Sequence, residues 1–172
     1  NAVSFVWGPP GTGKTYTLAR VAANKYLKGN KVLILAQSNA AVDVLMKEIL
    51  LFLKKVNKFK EGDILRYGNS LQVSSDAKEM TLAYLLEQSD PSVSKEKNDL
   101  FEERKKLKRD LSFSFSARDS NELLKLEKKL AALIEKTRKK EREILNRADL
   151  IGTTLARAAT DPCVYEESYD LA

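Results

Sequence analysis

The chain has 172 residues, 30 Lys+Arg against 24 Asp+Glu, a formal charge of +6 and a hydrophobic content of 43%, enough apolar material for one domain with a real core. It holds no histidine and a single cysteine, Cys163, which excludes a histidine base, a histidine-ligated metal, a histidine pH switch and an intrachain disulfide. No apolar run approaches the roughly 20 residues that span a bilayer. The N-terminal residues lack the basic start and small-residue cleavage site of a secretory leader, so a reducing, cytoplasmic setting with no membrane partner is expected.

The first element is an apolar run, Val3 to Trp7, which reads as a buried strand. It leads into Gly8-Pro9-Pro10-Gly11-Thr12-Gly13-Lys14-Thr15, which matches G-x-x-x-x-G-K-[ST]. The chemistry behind that pattern is the shape of a polyphosphate. Its oxygens are best held by several inward-pointing backbone N–H groups, and a Cβ would block their approach. Glycine removes the Cβ, the prolines stiffen the turn, and the following helix adds its N-terminal amides and dipole. In this pattern Lys14 reaches the β- and γ-phosphates, and the Thr15 hydroxyl holds Mg2+. Lys14 and Thr15 are therefore the candidate catalytic residues. The candidate cofactor-binding stretch runs from Gly8 through Tyr16, and Thr15 is the candidate metal ligand. An ordinary strand-to-helix turn is the plainer alternative.

A helix follows over "TYTLARVAANKYLKG", with Leu18, Val21, Ala22 and Tyr26 on one face and Gly29 as its stop. Residues 31 to 36, "KVLILA", read as a parallel strand. "QSNAAVDVLMKEILLFLKKV" then reads as a second helix, capped by Ser38 or Asn39, with Val42, Leu45, Met46, Ile49, Leu53 and Val56 at helical spacing. This β-α-β-α order implies an α/β fold, a RecA-like P-loop NTPase with a parallel sheet, present here in part. Loops at the carboxyl ends of its strands form the ligand face.

Residues 92 to 147 differ in composition. They carry 17 Lys/Arg and 11 Asp/Glu, while the rest of the chain has 13 of each, so the whole net charge lies in this segment. Val93, Leu100, Leu107 and Leu111 fall at heptad-like spacing, and Leu123, Leu126, Leu130 and Leu133 repeat at threes and fours. "SFSFSARDSN" between them reads as a turn. The expectation is an inserted antiparallel helical hairpin with a coiled-coil seam. Residues 1–91 then form the N-terminal part of the lobe, 92–147 the hairpin, and 148–172 the return to the lobe. The hairpin's basic runs suit a nucleic-acid backbone. Its interleaved acids suit a solvated surface of i,i+4 pairs. Phe113 and Phe115 at its tip could stack on bases or meet a protein partner.

"GPPGTGKT", a strand, "QSNAAVD" and a helix together resemble motifs I and Ia of superfamily 1 helicases, closest to the up-frameshift-like branch. "DILRYGN", residues 63 to 69, is similar to that branch's next strand, and "ADLIGTTLARA", residues 148 to 158, to its motif Ic. The resemblance implies ATP and Mg2+ as cofactors and a groove for single-stranded nucleic acid. Ser38, Asn39 and the backbone around Ala40 would meet phosphates there, with Thr153 and Thr154 from the neighbouring strand end. It also implies a helical insertion where the charged segment lies. In that family a D-E-A-x motif, a second lobe with arginines and an upstream glutamine complete the hydrolytic site. Asp161, Glu166, Glu167 and Asp170 do not form such an acidic pair. The chain is thus expected to be a piece of a longer helicase or translocase, unable to hydrolyse ATP alone. Two other readings stand beside it. One is an AAA+-type or regulatory P-loop ATPase that docks a protein through the hairpin, and the other is a nucleic-acid-binding module that senses nucleotide.

Overall fold

The computed structural model describes residues 3–68, 75–113 and 116–172. Its elements, in chain order, are α1 (Lys14–Leu27), β1 (Val32–Ala36), α2 (Asn39–Lys55), β2 (Ile64–Arg66), a 3-10 helix (Ser75–Met80), α3 (Leu82–Ser89), α4 (Pro91–Phe113), α5 (Ala117–Arg147), β3 (Leu150–Thr154), α6 (Leu155–Thr160) and α7 (Pro162–Tyr165). They divide into two compact units. One comprises the residues up to Leu82 together with Ile144–Ala172, and the other is Ala83–Glu143.

The first unit is built on a parallel three-stranded sheet in the order β1-β3-β2. Its register pairs Leu35 with Thr153 and Ala36 with Thr154 on one side of β3, and Arg66 with Gly152 on the other. Short aliphatic runs make these strands because both sheet faces are covered. Val32, Ile64, Leu65, Leu150 and Ile151 are all fully buried. Ser38 caps α2 in extended backbone, its Oγ accepting from the Ala41 N–H at 3.2 Å. One stripe of α2, Val42, Met46, Ile49, Leu50 and Leu53, is lost from solvent, each side chain contributing about 1.5–3 kcal/mol. Lys54 and Lys55 sit in its last turn, where they complement the helix dipole.

Two expectations need correction here. The strand expected over Val3–Trp7 is not formed, and Val3, Phe5 and Trp7 are 77, 91 and 92% exposed. A strand exists only by bonding to a neighbour. The outer edge of β1 is met by Leu171, whose carbonyl accepts from the Leu33 N–H at 2.8 Å, and among the described residues no backbone hydrogen bond reaches residues 3–7. The buried face of α1 is Ala19, Ala22, Ala23 and Tyr26, while Leu18 and Val21 lie outside it. α1 packs on α2, and small side chains let the two helices approach closely.

In the second unit, Pro91 occupies the first position of α4, where its missing N–H costs nothing. Asp90 just before it accepts from the Ser92 hydroxyl at 2.7 Å and the Val93 N–H at 3.4 Å. The same carboxylate takes the Lys140 ammonium of α5 at 2.8 Å and Lys136 at 3.4 Å. Further along, Glu127 of α5 pairs with Arg104 and Lys108 of α4 at 3.3 and 3.4 Å. Val93, Leu126 and Leu130 are buried, and Leu100, Leu107 and Leu111 are half-buried. The turn expected over 112–121 is shorter than its composition suggests. α4 runs through Phe113 and α5 starts at Ala117, with the Ser116 Oγ accepting from the Asp119 N–H at 3.2 Å. Phe113 is exposed, and Phe115 lies outside the described residues, as does Asn69 of the segment expected to follow α2. No helix among the described residues is long and apolar enough to cross a membrane.

Candidate functional site

Two glycines shape the turn before α1. Gly11 and Gly13 both hold positive φ, 82° and 79°, and nothing lies within 4 Å of a Cβ built on either. An L side chain is disfavoured at both positions, and the space beside them is open. Gly13 is the N-cap of α1 and supplies no side-chain bond, so the helix's first amides are left for another acceptor. Within the turn, the Thr12 hydroxyl donates to the Pro9 carbonyl at 2.8 Å. A Cβ on Gly8 would fall 2.7 Å from the Thr12 Oγ1, so a larger residue there would have to displace the Thr12 side chain. The Lys14 ammonium donates to the carbonyls of Gly8 and Pro9 at 2.5 and 2.7 Å. The turn therefore carries its cation folded over its own backbone. Pro10, Thr15 and Tyr16 are exposed, and Tyr16 bonds through its hydroxyl with Arg20 at 2.6 Å. Uncapped helix amides, open space beside the glycines and an ammonium folded over the turn suit a polyphosphate. Thr15 exposes its hydroxyl in the first turn of α1. Among the described residues no three His, Cys, Asp or Glu side chains gather as a metal site.

The second group lies at the carboxyl ends of the strands. The register brings the end of β3 beside the end of β1, so Thr153 and Thr154 adjoin the short link to Ser38 and Asn39. Their roles differ. Ser38 and Thr154 are helix caps, Thr154 accepting from the Arg157 N–H at 3.3 Å. Thr153 is fully buried, and among the described residues its Oγ1 has no hydrogen-bond partner. Asn39 and Ala40 are exposed in the first turn of α2. Among the described residues no hydrogen bond joins the Gly8–Thr15 turn to these four polar residues.

Arg66, which the sequence reading passed over, ties this edge together. It is fully buried at the end of β2. Its Nε donates to Asp43 Oδ1 at 2.5 Å, its Nη2 to Asn39 Oδ1 at 2.8 Å and its Nη1 to the Tyr67 carbonyl at 2.6 Å. A buried guanidinium is tolerated only with such partners, and removing one typically costs about 3–5 kcal/mol. A signal was present: an arginine inside an apolar strand, and two acceptors four residues apart, Asn39 and Asp43, on one helix face.

A further polar cluster flanks it. The Tyr67 hydroxyl donates to Asp161 Oδ2 at 2.6 Å and accepts from Arg157 Nη2 at 3.1 Å. Arg157 also pairs with Asp161 at 3.2 Å. Burial, and then the bond to Asp161, push the Tyr67 phenol up. For Asp161, burial works upward, but the bonds from the Tyr67 hydroxyl and the Cys163 N–H, with the Arg157 charge, hold its carboxyl below the usual range.

Residues 1–170 match the family model described as "AAA domain". Over 88 residues, 51% of this chain and 8% of the relative, the chain is 35% identical to "DNA-binding protein SMUBP-2" of Mesocricetus auratus. It is 32% identical over 84 residues, 48% of this chain and 12% of the relative, to "Uncharacterized ATP-dependent helicase MJ0104" of Methanocaldococcus jannaschii. With "DNA polymerase alpha-associated DNA helicase A" of Saccharomyces cerevisiae it shares 27% identity over 159 residues, 90% of this chain and 22% of the relative. The chain thus spans less than a quarter of the length of these relatives. Glycine turn, strand-end hydroxyls and relatives agree: the chain belongs to this AAA domain family, among the superfamily 1 helicases of the up-frameshift-like branch.

Proposed function

We propose that this chain is the ATP-binding part of a RecA-like motor lobe in an ATP-dependent helicase or translocase that carries single-stranded nucleic acid. Amides of the Gly8–Thr15 turn hold the triphosphate, Lys14 leaves the Gly8 and Pro9 carbonyls to meet it, and Thr15 holds Mg2+. The bound nucleotide supplies the free energy of phosphoryl transfer. This chain's residues supply grip and orientation. Hydrolysis needs a second carboxylate and an arginine that this reading assigns to other parts of the whole protein.

Ser38, Asn39, the Ala40 backbone and Thr154 meet phosphates of a single strand, while Thr153, expected beside them, is fully buried behind this edge and does not reach one. One observation carries the nucleic-acid half of the reading: the β1–β3 register, which sets these residues side by side at the sheet's carboxyl edge. Small polar side chains at strand ends grip a backbone without reading bases. The names of two relatives speak of DNA, which makes DNA the first substrate to try. Residues 92–147 form an antiparallel hairpin inserted in the lobe. This is supported by the opposite running order of the pairs: Asp90, just before α4, meets Lys140 late in α5, and Arg104, further along α4, meets Glu127 earlier in α5.

The test is ATP turnover by the full-length protein, with and without single-stranded DNA or RNA. Stimulation by either strand, and none by duplex ends or folded proteins, is the expected result. Stimulation by a protein client with indifference to both nucleic acids would refute the reading.

A further inference from the structure

Arg66 can only donate. Its guanidinium has five N–H groups and no acceptor. Whatever faces it must therefore be an oxygen, and Asn39 presents its Oδ1 at 2.8 Å. That choice fixes the other end of the amide. The Asn39 NH2 is turned away from the buried guanidinium, and Asn39 itself is exposed. The remaining donors of Arg66 hold Asp43, one helical turn along α2, and the Tyr67 carbonyl at the end of β2. The first turn of α2 is thus locked to β2 through one buried head group.

The same head group borders the other half of the edge. A Cβ built on Gly68 would lie 3.6 Å from Arg66 Nη1 and 3.9 Å from Thr153 Oγ1, so this glycine separates the two side chains. Gly68 holds φ of 107°, which keeps any other residue unfavourable there. Thr153 Oγ1 is buried, with no hydrogen-bond partner among the described residues.

We infer that Arg66 is a positioning residue: it orients the Asn39 carboxamide so that its two N–H donors, and not its oxygen, meet the phosphate backbone of single-stranded nucleic acid. The inference rests on the proposed function, since it concerns how that groove is set. A phosphate oxygen accepts and never donates, so an amide free to rotate would present the wrong end half the time. A lysine at this position keeps the charge but offers a compact ammonium in place of a planar fork, and cannot serve three acceptors in one plane.

The experiment uses the full-length protein, a fluorescent single-stranded oligonucleotide, and MgATP binding as a control for the fold. Asn39→Asp is the deciding variant. It keeps an oxygen for Arg66, and a carboxylate near the N-terminus of α2 favours the helix. The melting temperature is therefore expected to hold or rise. Oligonucleotide affinity should nevertheless fall by about tenfold or more, because the donors are gone. Arg66→Lys should lower oligonucleotide affinity with MgATP binding retained, and should add little once Asn39→Asp is present. Asn39→Asp with wild-type oligonucleotide affinity overturns the inference, and so does a folded Arg66→Lys with wild-type affinity. If Arg66→Lys does not fold, Asn39→Asp still decides. A wild-type protein that binds MgATP but no oligonucleotide overturns the groove itself, and the inference with it.

Discussion

Met46 of α2 lies directly over Gly152 of β3. A Cβ on the glycine would fall 2.6 Å from Met46 Cγ and closer still to its sulfur. Met46 is fully buried, so it has little room to withdraw. This contact sets the height of α2 above the sheet, and with it the place of Ser38 and Asn39 beside Thr153 and Thr154.

Gly152→Ala should therefore destabilise the first unit by about 1–3 kcal/mol through overpacking. Met46→Ala alone should also destabilise, by cavity formation. The pair should cost less than the sum, because the smaller residue makes room for the new methyl. Denaturant titrations of the three variants measure this coupling, and strict additivity would contradict the contact.

Alkaline pH should loosen the same unit. The Tyr26 hydroxyl donates to Asp63 at 3.2 Å, and burial, followed by the Asp63 charge, pushes its phenol up to about 12. Burial and the Glu167 charge push Tyr169 up to about 12 as well. Below about pH 10 both folded and unfolded phenols keep their protons, and this contribution is complete. As pH rises further the unfolded chain loses its protons first, so stability falls until the folded phenols ionise near 12. Tyr26→Phe should cost about 0.5–1.5 kcal/mol at neutral pH through the lost bond. It should also flatten the alkaline decline, followed by phenolate absorbance beside circular dichroism.

The second unit should respond to acid instead. The Lys140 bond and then the Ser92 bond hold the Asp90 carboxyl well below the usual carboxylate range. A depressed value means stability that is present above about pH 4 and lost as pH falls toward the folded value. Asp90→Asn should lower the melting temperature of the helical signal at neutral pH, less so in high salt. The difference from wild type should narrow in acid. An equal difference at all pH values would mean that the carboxylate's charge plays no part.

Local signals in the sequence were enough for much of this architecture. Helices α1 and α2, strand β1 and the two long charged helices all follow from apolar spacing, caps and breakers. Periodicity says which residues lie together, though not how close the neighbour comes, and so Ala19 and Ala23 of α1 were passed over for Leu18 and Val21. Residues 3–7 have strand composition, but composition cannot provide a ladder partner, and here they have none among the described residues. At the candidate site, the positive-φ glycines and the Lys14 contacts lie within one contiguous turn, so that turn's pattern was visible in the sequence. Arg66 was not read, because its three partners, Asn39, Asp43 and Tyr67, are gathered from two elements by the fold. Thr153 and Thr154 look alike in sequence, yet one is buried and the other caps a helix.

The most direct measurement is a calorimetric titration of MgATP into the full-length protein and its Lys14→Ala variant. Lys14 is half-buried at the start of α1, and among the described residues its ammonium bonds only to the turn's own carbonyls, so the variant should fold as the wild type does. Saturable binding by the wild type, weakened tenfold or more (about 1.4 kcal/mol or more) in the variant, is the predicted result. Equal affinity in the two proteins, or no binding by a folded wild type, would contradict a nucleotide held by the Gly8–Thr15 turn.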